Sequence, residues 1–289
     1  MSNASVLFDA PGPQAIRRYR LTAAATVVGI IAVIALVVWK LYVEDQLTAE
    51  KWEPFVTPAI LELLLEGLVD TLAAAALAIA GAVVFGVVFG VGKLSDHRIV
   101  AWPCWVVVEF FRAVPLLLLI IFIWTVQGNP LGTITPLVLG LILYNGSVLA
   151  EVFRAGINAV PKGQSEAAAS IGMRKTQMMR IVLLPQAVKI MLPAIISQCI
   201  VALKDTSLGY VILCPGMTFV GREIFREFDN RLATGLVLAA IYIVLNLALS
   251  MLAEYAQKRL GTPKVELVGG IVKTQPDAGA SGAGAPGAL

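Results

Sequence analysis

The chain has 289 residues, of which 58% are hydrophobic and only 14% charged, and it carries a formal net charge of +3. Its mean hydropathy of +0.84 predicts an integral membrane protein rather than a soluble domain. The small positive balance does not indicate nucleic-acid binding, because the cations lie in short segments between long apolar runs, as membrane topology requires.

Six apolar runs are long enough to cross a bilayer as helices, which takes about 18 or more residues. The sequence therefore predicts an all-α integral membrane protein with six transmembrane helices. The first run is interpreted as a retained span, because its apolar part is too long for a cleaved signal peptide and its flank has no small-residue cleavage site. The runs are Leu21–Val43, Leu68–Gly92, Trp102–Val126, Ile134–Val152, Ala187–Leu213 and Ala233–Ala253.

Lys and Arg gather before the first span and after the second, fourth and sixth spans, so the positive-inside rule places both termini in the cytoplasm. Four segments follow. Residues 1–20 are a cytoplasmic arm, 21–66 an extra span with an external linker, 67–260 a compact five-span core, and 261–289 a disordered tail rich in Gly, Ala, Pro and Ser. Within the linker, Ala59–Glu66 is expected to be amphipathic, with its apolar residues facing lipid and Glu62 and Glu66 facing water.

Charged residues inside apolar runs are costly, so they indicate interior or functional positions. Glu109 and Arg112 are three residues apart and can neutralise each other on one helix face. Pro115 follows, and a helix break there would expose polar backbone to a cavity. Alternatively, the span begins near Ala113 and the two charges lie in the headgroup layer.

Two further polar groups lie in later spans. The first group is expected beyond the bilayer midplane and consists of Lys204, Asp205, Thr206 and Ser207. An ion pair at that depth must face protein or water. The group is either functional or a structural pair that holds the bundle together. Asn145 lies in the fourth span, and Glu151 and Arg154 near its inner end are interpreted as an interfacial pair. The single histidine, His97, supports no metal site.

A polar, net-positive insert at residues 161–185, PKGQSEAAASIGMRKTQMMRIVLLP, separates the fourth and fifth spans. Gln164–Ile171 is predicted to be a short helix of small residues, and Gly172 permits a sharp turn. A helix faced with alanines can press closely into a groove on another protein. The alternative is a plain surface connector.

The order Glu166-Ala167-Ala168, then Gly172, then Val182 to Pro185 resembles the EAA loop of ABC-importer permeases. The resemblance covers about residues 67–259 and extends to the permease subunits of polar amino-acid importers of the histidine, glutamine and glutamate type. The arm and the extra first span are most similar to the glutamate-uptake branch. Further matching segments are Glu109–Leu117, Ala150–Ile157, Pro185–Pro193 and Leu203–Leu208.

The resemblance implies a type I permease fold in the plasma membrane of a prokaryote, with residues 154–186 as the cytoplasmic coupling loop. It implies three protein partners: an ATPase, an external amino-acid-binding protein and a sister permease that forms a heterodimer. ATP and Mg would be bound by the ATPase, since this chain lacks a G-x-x-x-x-G-K-[ST] loop and is not expected to be an enzyme. The residues implied to contact the ATPase are Glu166, Ala167, Ala168, Gly172 and Arg174.

We expect the substrate path to combine a cation for the substrate carboxylate, either Arg112 or Lys204, with nearby hydrogen-bonding groups, because a zwitterion cannot cross an apolar channel unpaired. Three rival classes stay open at this point: a passive channel, a membrane enzyme and a structural anchor. The expected path residues are Glu109, Arg112, Asn145, Lys204, Asp205, Thr206 and Ser207.

Overall fold

The structure, a computed structural model, describes residues 12–128, 132–259, 267–268 and 271–272. Residues 1–11 of the predicted arm lie outside this range. So does most of the predicted disordered tail, of which only two short strands are described. These strands, β1 (Leu267–Val268) and β2 (Ile271–Val272), pair in antiparallel fashion, with Leu267 opposite Val272.

The other regular elements of the described chain are helices joined by short turns. A 3-10 turn follows α2 at Glu53–Val56 and another follows α9 at Thr206–Ile212, whereas a π-helical turn at Met179–Leu183 precedes α9. The helices are α1 (Pro13–Val43), α2 (Ala49–Trp52), α3 (Pro58–Gly92), α4 (Arg98–Ala113), α5 (Leu116–Gln127), α6 (Ile134–Asn158), α7 (Lys162–Ser170), α8 (Lys175–Met178), α9 (Leu184–Asp205), α10 (Met217–Phe228) and α11 (Arg231–Arg259).

Five helical segments in the described residues are long and apolar enough to cross a membrane, and α4 with α5 makes a sixth if this bent pair is one span. The predicted continuous helix Trp102–Val126 is therefore two helices, which meet at an angle of 102°. Pro115 has no N–H to donate, and it holds Val114 in an extended conformation (φ −76°, ψ 126°). The helix break therefore lies at Pro115, the residue at which the sequence analysis considered a break.

Helix α3 begins at Pro58, so Ala59–Glu66, which the sequence analysis assigned to the linker, is the first part of the same helix as the second span. No glycine or proline interrupts the chain until Gly67, which continues the helix. Glu62 and Glu66 are both exposed, and their four-residue spacing places them on one face of the same long helix.

The described residues divide into two units. One is built from the chain up to Leu63 together with Gly221–Val237. In it the Lys51 ammonium donates a hydrogen bond to the Asp229 carbonyl oxygen at 2.7 Å, and the Asn230 side chain donates to the Lys51 carbonyl oxygen at 3.0 Å. These contacts fasten α2 to the turn between α10 and α11.

The other unit, Leu64–Val220 with the residues from Leu238 onward, contains the buried core around α6. Close approach of α3 to α6 depends on glycine: a Cβ at Gly90 would lie 2.8 Å from the Ala150 carbonyl oxygen and 3.0 Å from the Phe153 Cβ. Helices α5 and α9 also pack on α6. Buried residues that form this core include Ala78, Ile120, Leu141, Leu149, Ala187 and Met191.

Candidate functional site

The α6–α9 connection contains the predicted short helix, which forms as α7 (Lys162–Ser170). Ala168 is 4% exposed and faces the protein, whereas Glu166 and Ala167 are exposed. The helix therefore rests on the protein through one alanine and presents the glutamate and the neighbouring alanine outward.

Gly172 ends this helix in the left-handed region, with φ at +77°. Its N–H donates to the Ala169 carbonyl oxygen at 2.9 Å, and the Met173 N–H donates to the Ala168 carbonyl oxygen at 3.1 Å. This pair of bonds is a Schellman cap, which strongly favours glycine at the left-handed position. The predicted sharp turn is confirmed.

The segment after the turn is fastened to the rest of its unit by polar contacts. The Arg174 N–H donates to the Gln177 side-chain oxygen at 3.0 Å, and the exposed Arg174 begins α8. Lys175 forms an ion pair with Asp96, in the turn between α3 and α4. The Lys175 ammonium is hydrogen-bonded to Asp96, and this bond and its charge lower the pKa of the Asp96 carboxyl below its ordinary value.

The π-helical turn at Met179–Leu183 joins α8 to α9 just before Pro185. Because Pro185 has no N–H for the carbonyl four residues earlier, a widened turn accommodates the lost bond. The Gln186 side chain donates to its own helix at the Val182 carbonyl oxygen (3.0 Å) and to the Gln164 side chain of α7 (3.3 Å). Helix α7 is thus in direct contact with the start of α9.

Five charged side chains form an alternating chain across α4, α6 and the residue that follows α3. Lys93, whose side chain is 5% exposed, pairs with Glu151 and also lies 3.4 Å from the Glu109 carboxylate. Arg112 lies 3.3 Å from Glu109, and Arg154 lies 2.9 Å from Glu151. The order is Arg154, Glu151, Lys93, Glu109, Arg112, and we call this set the charge chain.

The predicted Glu109–Arg112 and Glu151–Arg154 pairs are both confirmed, but Lys93, which links them, was missed. Two cavities flank the charge chain. One, of about 930 Å³, is lined by Lys93 and Arg154 as well as by both glutamates; the other, of about 540 Å³, is lined by Arg112 and the same two glutamates.

Asn145 is buried where α6 meets α9. Its side-chain oxygen accepts a 2.5 Å hydrogen bond from Gln198, while its Nδ2 has no hydrogen-bond partner among the described residues. The Asp205 carboxyl lies near the Asn145 side chain but does not accept a hydrogen bond from its Nδ2. Thr206 is also buried, and its hydroxyl donates to the Leu203 carbonyl oxygen at 2.7 Å.

Lys204 and Ser207 line a cleft of about 600 Å³ on the α11 side of α9, together with Tyr242 and Asn246. The prediction of an ion pair between Lys204 and Asp205 is wrong. These two described residues do not pair, and the Asp205 carboxyl lies toward α6. Consecutive residues on a helix point about 100° apart, so neighbours in sequence need not share a face.

The expected path residues consequently fall into three places: the charge chain, the α6–α9 interface and the α9–α11 cleft. Lys93, Gln198 and Tyr242 belong to these places and were not predicted. A lysine directly after a long apolar run was the available signal for Lys93, whereas Gln198 and Tyr242 gave none. Among the described residues, no group of three or more His, Cys, Asp or Glu side chains could hold a metal ion.

A bundle of apolar helices with polar clefts and an exposed polar loop defines a membrane transport component. The chain belongs to the family of binding-protein-dependent transport system inner membrane components, which it matches over residues 62–262. It is a membrane permease component, a kind of subunit that is not itself catalytic. The predicted family and helical membrane fold are confirmed.

Two relatives and two solved structures illustrate the likeness. The chain is 42% identical over 197 residues to the glutamate transport system permease protein GluD of Corynebacterium glutamicum, covering 65% of this chain and 72% of that protein. It is 30% identical over 181 residues to the glutamate/aspartate import permease protein GltK of Escherichia coli, covering 58% of this chain and 80% of that protein.

A crystal structure of an amino acid ABC transporter with histidines is 32% identical, with a TM-score of 0.65, and covers 68% of this chain and 94% of that one. An inward-facing MetNI methionine ABC transporter has a TM-score of 0.62 at 18% identity, and covers 71% of this chain and 99% of that one. At that identity the second likeness shows the fold alone.

Proposed function

We propose that this chain is the membrane-spanning subunit of an ATP-driven ABC importer that carries a polar amino acid, glutamate in particular, into the cell. Two relatives named as glutamate permeases support the substrate, and one of them is 42% identical over 197 residues. The positive-inside distribution supports an orientation with both termini and α7 in the cytoplasm.

The observation that carries the proposal is the geometry of α7. It is a nine-residue helix that exposes Glu166 and Ala167, buries Ala168 against its own subunit and stops at a Schellman cap. A separate ATPase can deliver work only through a rigid contact. A short capped helix that touches the start of α9 through Gln164 and Gln186 is suited to transmit that motion.

The proposed assembly has four kinds of protein component. An external binding protein delivers the amino acid, this chain and a sister permease form a heterodimeric pore, and ATPase subunits bind ATP and Mg. Closure of the ATPases pushes α7 and Arg174, at the start of α8, and thereby reorients α9. The polar places described above then serve as the path, with Arg112 or Lys204 attracting the substrate carboxylate.

The rivals predict different behaviour. A passive channel conducts its solute without an ATPase, and it gives the exposed α7 no role. A membrane enzyme needs a nucleophile with a base, or a metal site. A structural anchor has no need for cavities of about 930 and 540 Å³ beside paired charges.

The experiment is reconstitution. The assembled complex, with its ATPase, sister permease and binding protein, is placed in proteoliposomes, and uptake of radiolabelled glutamate is measured with ATP and with a non-hydrolysable analogue. The proposal expects accumulation against a gradient only with ATP. Equal flux under both nucleotides would contradict the importer and favour the channel.

A further inference from the structure

We propose that the charge chain is a substrate-binding site that prefers amino acids with a net negative charge, and that Lys93 is its central residue. This inference rests on the proposed function. It concerns Lys93, directly after α3, and charged residues near the carboxyl-terminal ends of α4 and α6. These residues are well separated in sequence from the polar group Lys204–Ser207.

The connectivity of the charge chain is the first argument. Lys93 touches a carboxylate on each of two helices, and each carboxylate also touches an arginine three residues further along its own helix. A lysine that is 5% exposed is stable only while paired, because a buried charge without a partner is strongly unfavourable. One carboxylate would be enough for that, yet two converge on it.

Second, the charge chain is accessible from two cavities. Glu109 and Glu151 line both the 930 Å³ and the 540 Å³ cavity. These volumes lie within the range of small-molecule sites. A solute in either cavity can therefore reach the same carboxylates, so the charge chain is open to solutes rather than a sealed structural pair.

The third argument is charge balance. The charge chain has three cations and two carboxylates, which leaves a sum of +1. Arg98, which lines the larger cavity, adds another positive charge. An amino acid with two carboxylates and one ammonium carries −1 and compensates this excess, whereas a neutral amino acid leaves it and a cationic one increases it.

The same geometry explains how such a solute could pass. The substrate ammonium can take the place of Lys93 at a glutamate while a substrate carboxylate takes the place of that glutamate at Lys93 or Arg112. Each internal pair is exchanged for a pair with the substrate, so no charge is left without a partner at any stage. A neutral zwitterion can make the same exchange but leaves the excess positive charge, which only a second carboxylate compensates.

The test is equilibrium binding of radiolabelled glutamate and glutamine to the detergent-purified complex, without binding protein or nucleotide. The wild-type complex should bind glutamate more tightly. Lys93→Gln and Arg112→Gln each lower the charge by one and should weaken glutamate binding about tenfold, with a smaller loss of glutamine binding. Glu109→Gln raises the charge by one and should increase the preference for glutamate over glutamine.

Arg112 is 39% exposed, so its variant carries the test if Lys93→Gln fails to fold, and Lys93→Arg is the charge-conserving control. The inference is overturned if the wild-type complex does not distinguish the two ligands, if Arg112→Gln leaves their affinities unchanged, or if all three neutral variants weaken both ligands alike. Uptake without ATP dependence would instead refute the proposed function, because binding is measured without transport.

Discussion

Replacing Gly172 by alanine should uncouple ATP hydrolysis from uptake without unfolding the subunit. The residue has φ at +77°, and a Cβ there would meet nothing within 4 Å, so the whole cost is backbone strain. For a residue with a side chain, the left-handed region costs roughly 1–2 kcal/mol. That penalty lowers the population of the capped turn roughly 5–30-fold relative to open conformations. The turn is local, so the melting temperature of the complex should change little.

The assay is the number of glutamate molecules transported per ATP hydrolysed in proteoliposomes. Gly163→Ala is the matched control, because it adds the same methyl group to open space in α7 but at a helical residue without positive φ, where alanine is favoured. Gly172→Asn should retain part of the coupling, since asparagine tolerates positive φ better than alanine. An unchanged ratio for Gly172→Ala, or an equal loss for both alanine variants, would refute the reasoning.

Two other perturbations follow from the packing and the ion pairs. Gly90→Ala should destabilise the subunit by about 1–3 kcal/mol, the usual cost of overpacking, because its Cβ would lie 2.8 Å from the Ala150 backbone oxygen. Gly29→Ala is the control, because it adds a methyl group in open space on α1 and should not destabilise the subunit. Equal melting temperatures of the two variants would contradict this prediction. The Lys175 contact lowers the pKa of Asp96, so its stabilisation should be complete above the ordinary value of 3.8 and lost as the pH falls through the lowered pKa. Melting curves of wild type and Asp96→Asn should therefore differ at neutral pH and converge in acid; a pH-independent difference would contradict the assignment.

Hydropathy predicted the positions of most transmembrane helices, but it did not predict where α3 begins or that the third span is divided into two helices. The end of α1 at Val43 coincides with the end of the first apolar run, and α6 and α11 contain the fourth and sixth runs. Helix α3 begins about ten residues earlier than predicted, since two glutamates on one face do not break a helix. Pro115 indicated a break, but the 102° angle between two helices that both pack on α6 is not encoded in any local pattern.

Site prediction succeeded where the signal was local and failed where it was not. The turn at Gly172 follows from one residue type in one position, and the Glu109–Arg112 pair follows from helical spacing. Lys93 joins two helices that lie 16 and 58 residues further along the chain, so no sequence window contains its partners. Asp205 was assigned to its sequence neighbour, although helix geometry turns it toward Asn145.

The central claim is that α7 is the cytoplasmic contact of the ATPase. Ala167 is exposed, so Ala167→Cys, in a background with the three native cysteines replaced, can be cross-linked in the assembled complex without disturbing the fold. The account predicts a disulfide or short cross-link to the ATPase subunit whose yield changes when ATP is bound. Labelling of this cysteine in intact cells by a membrane-impermeant reagent, with no cross-link to the ATPase, would contradict it.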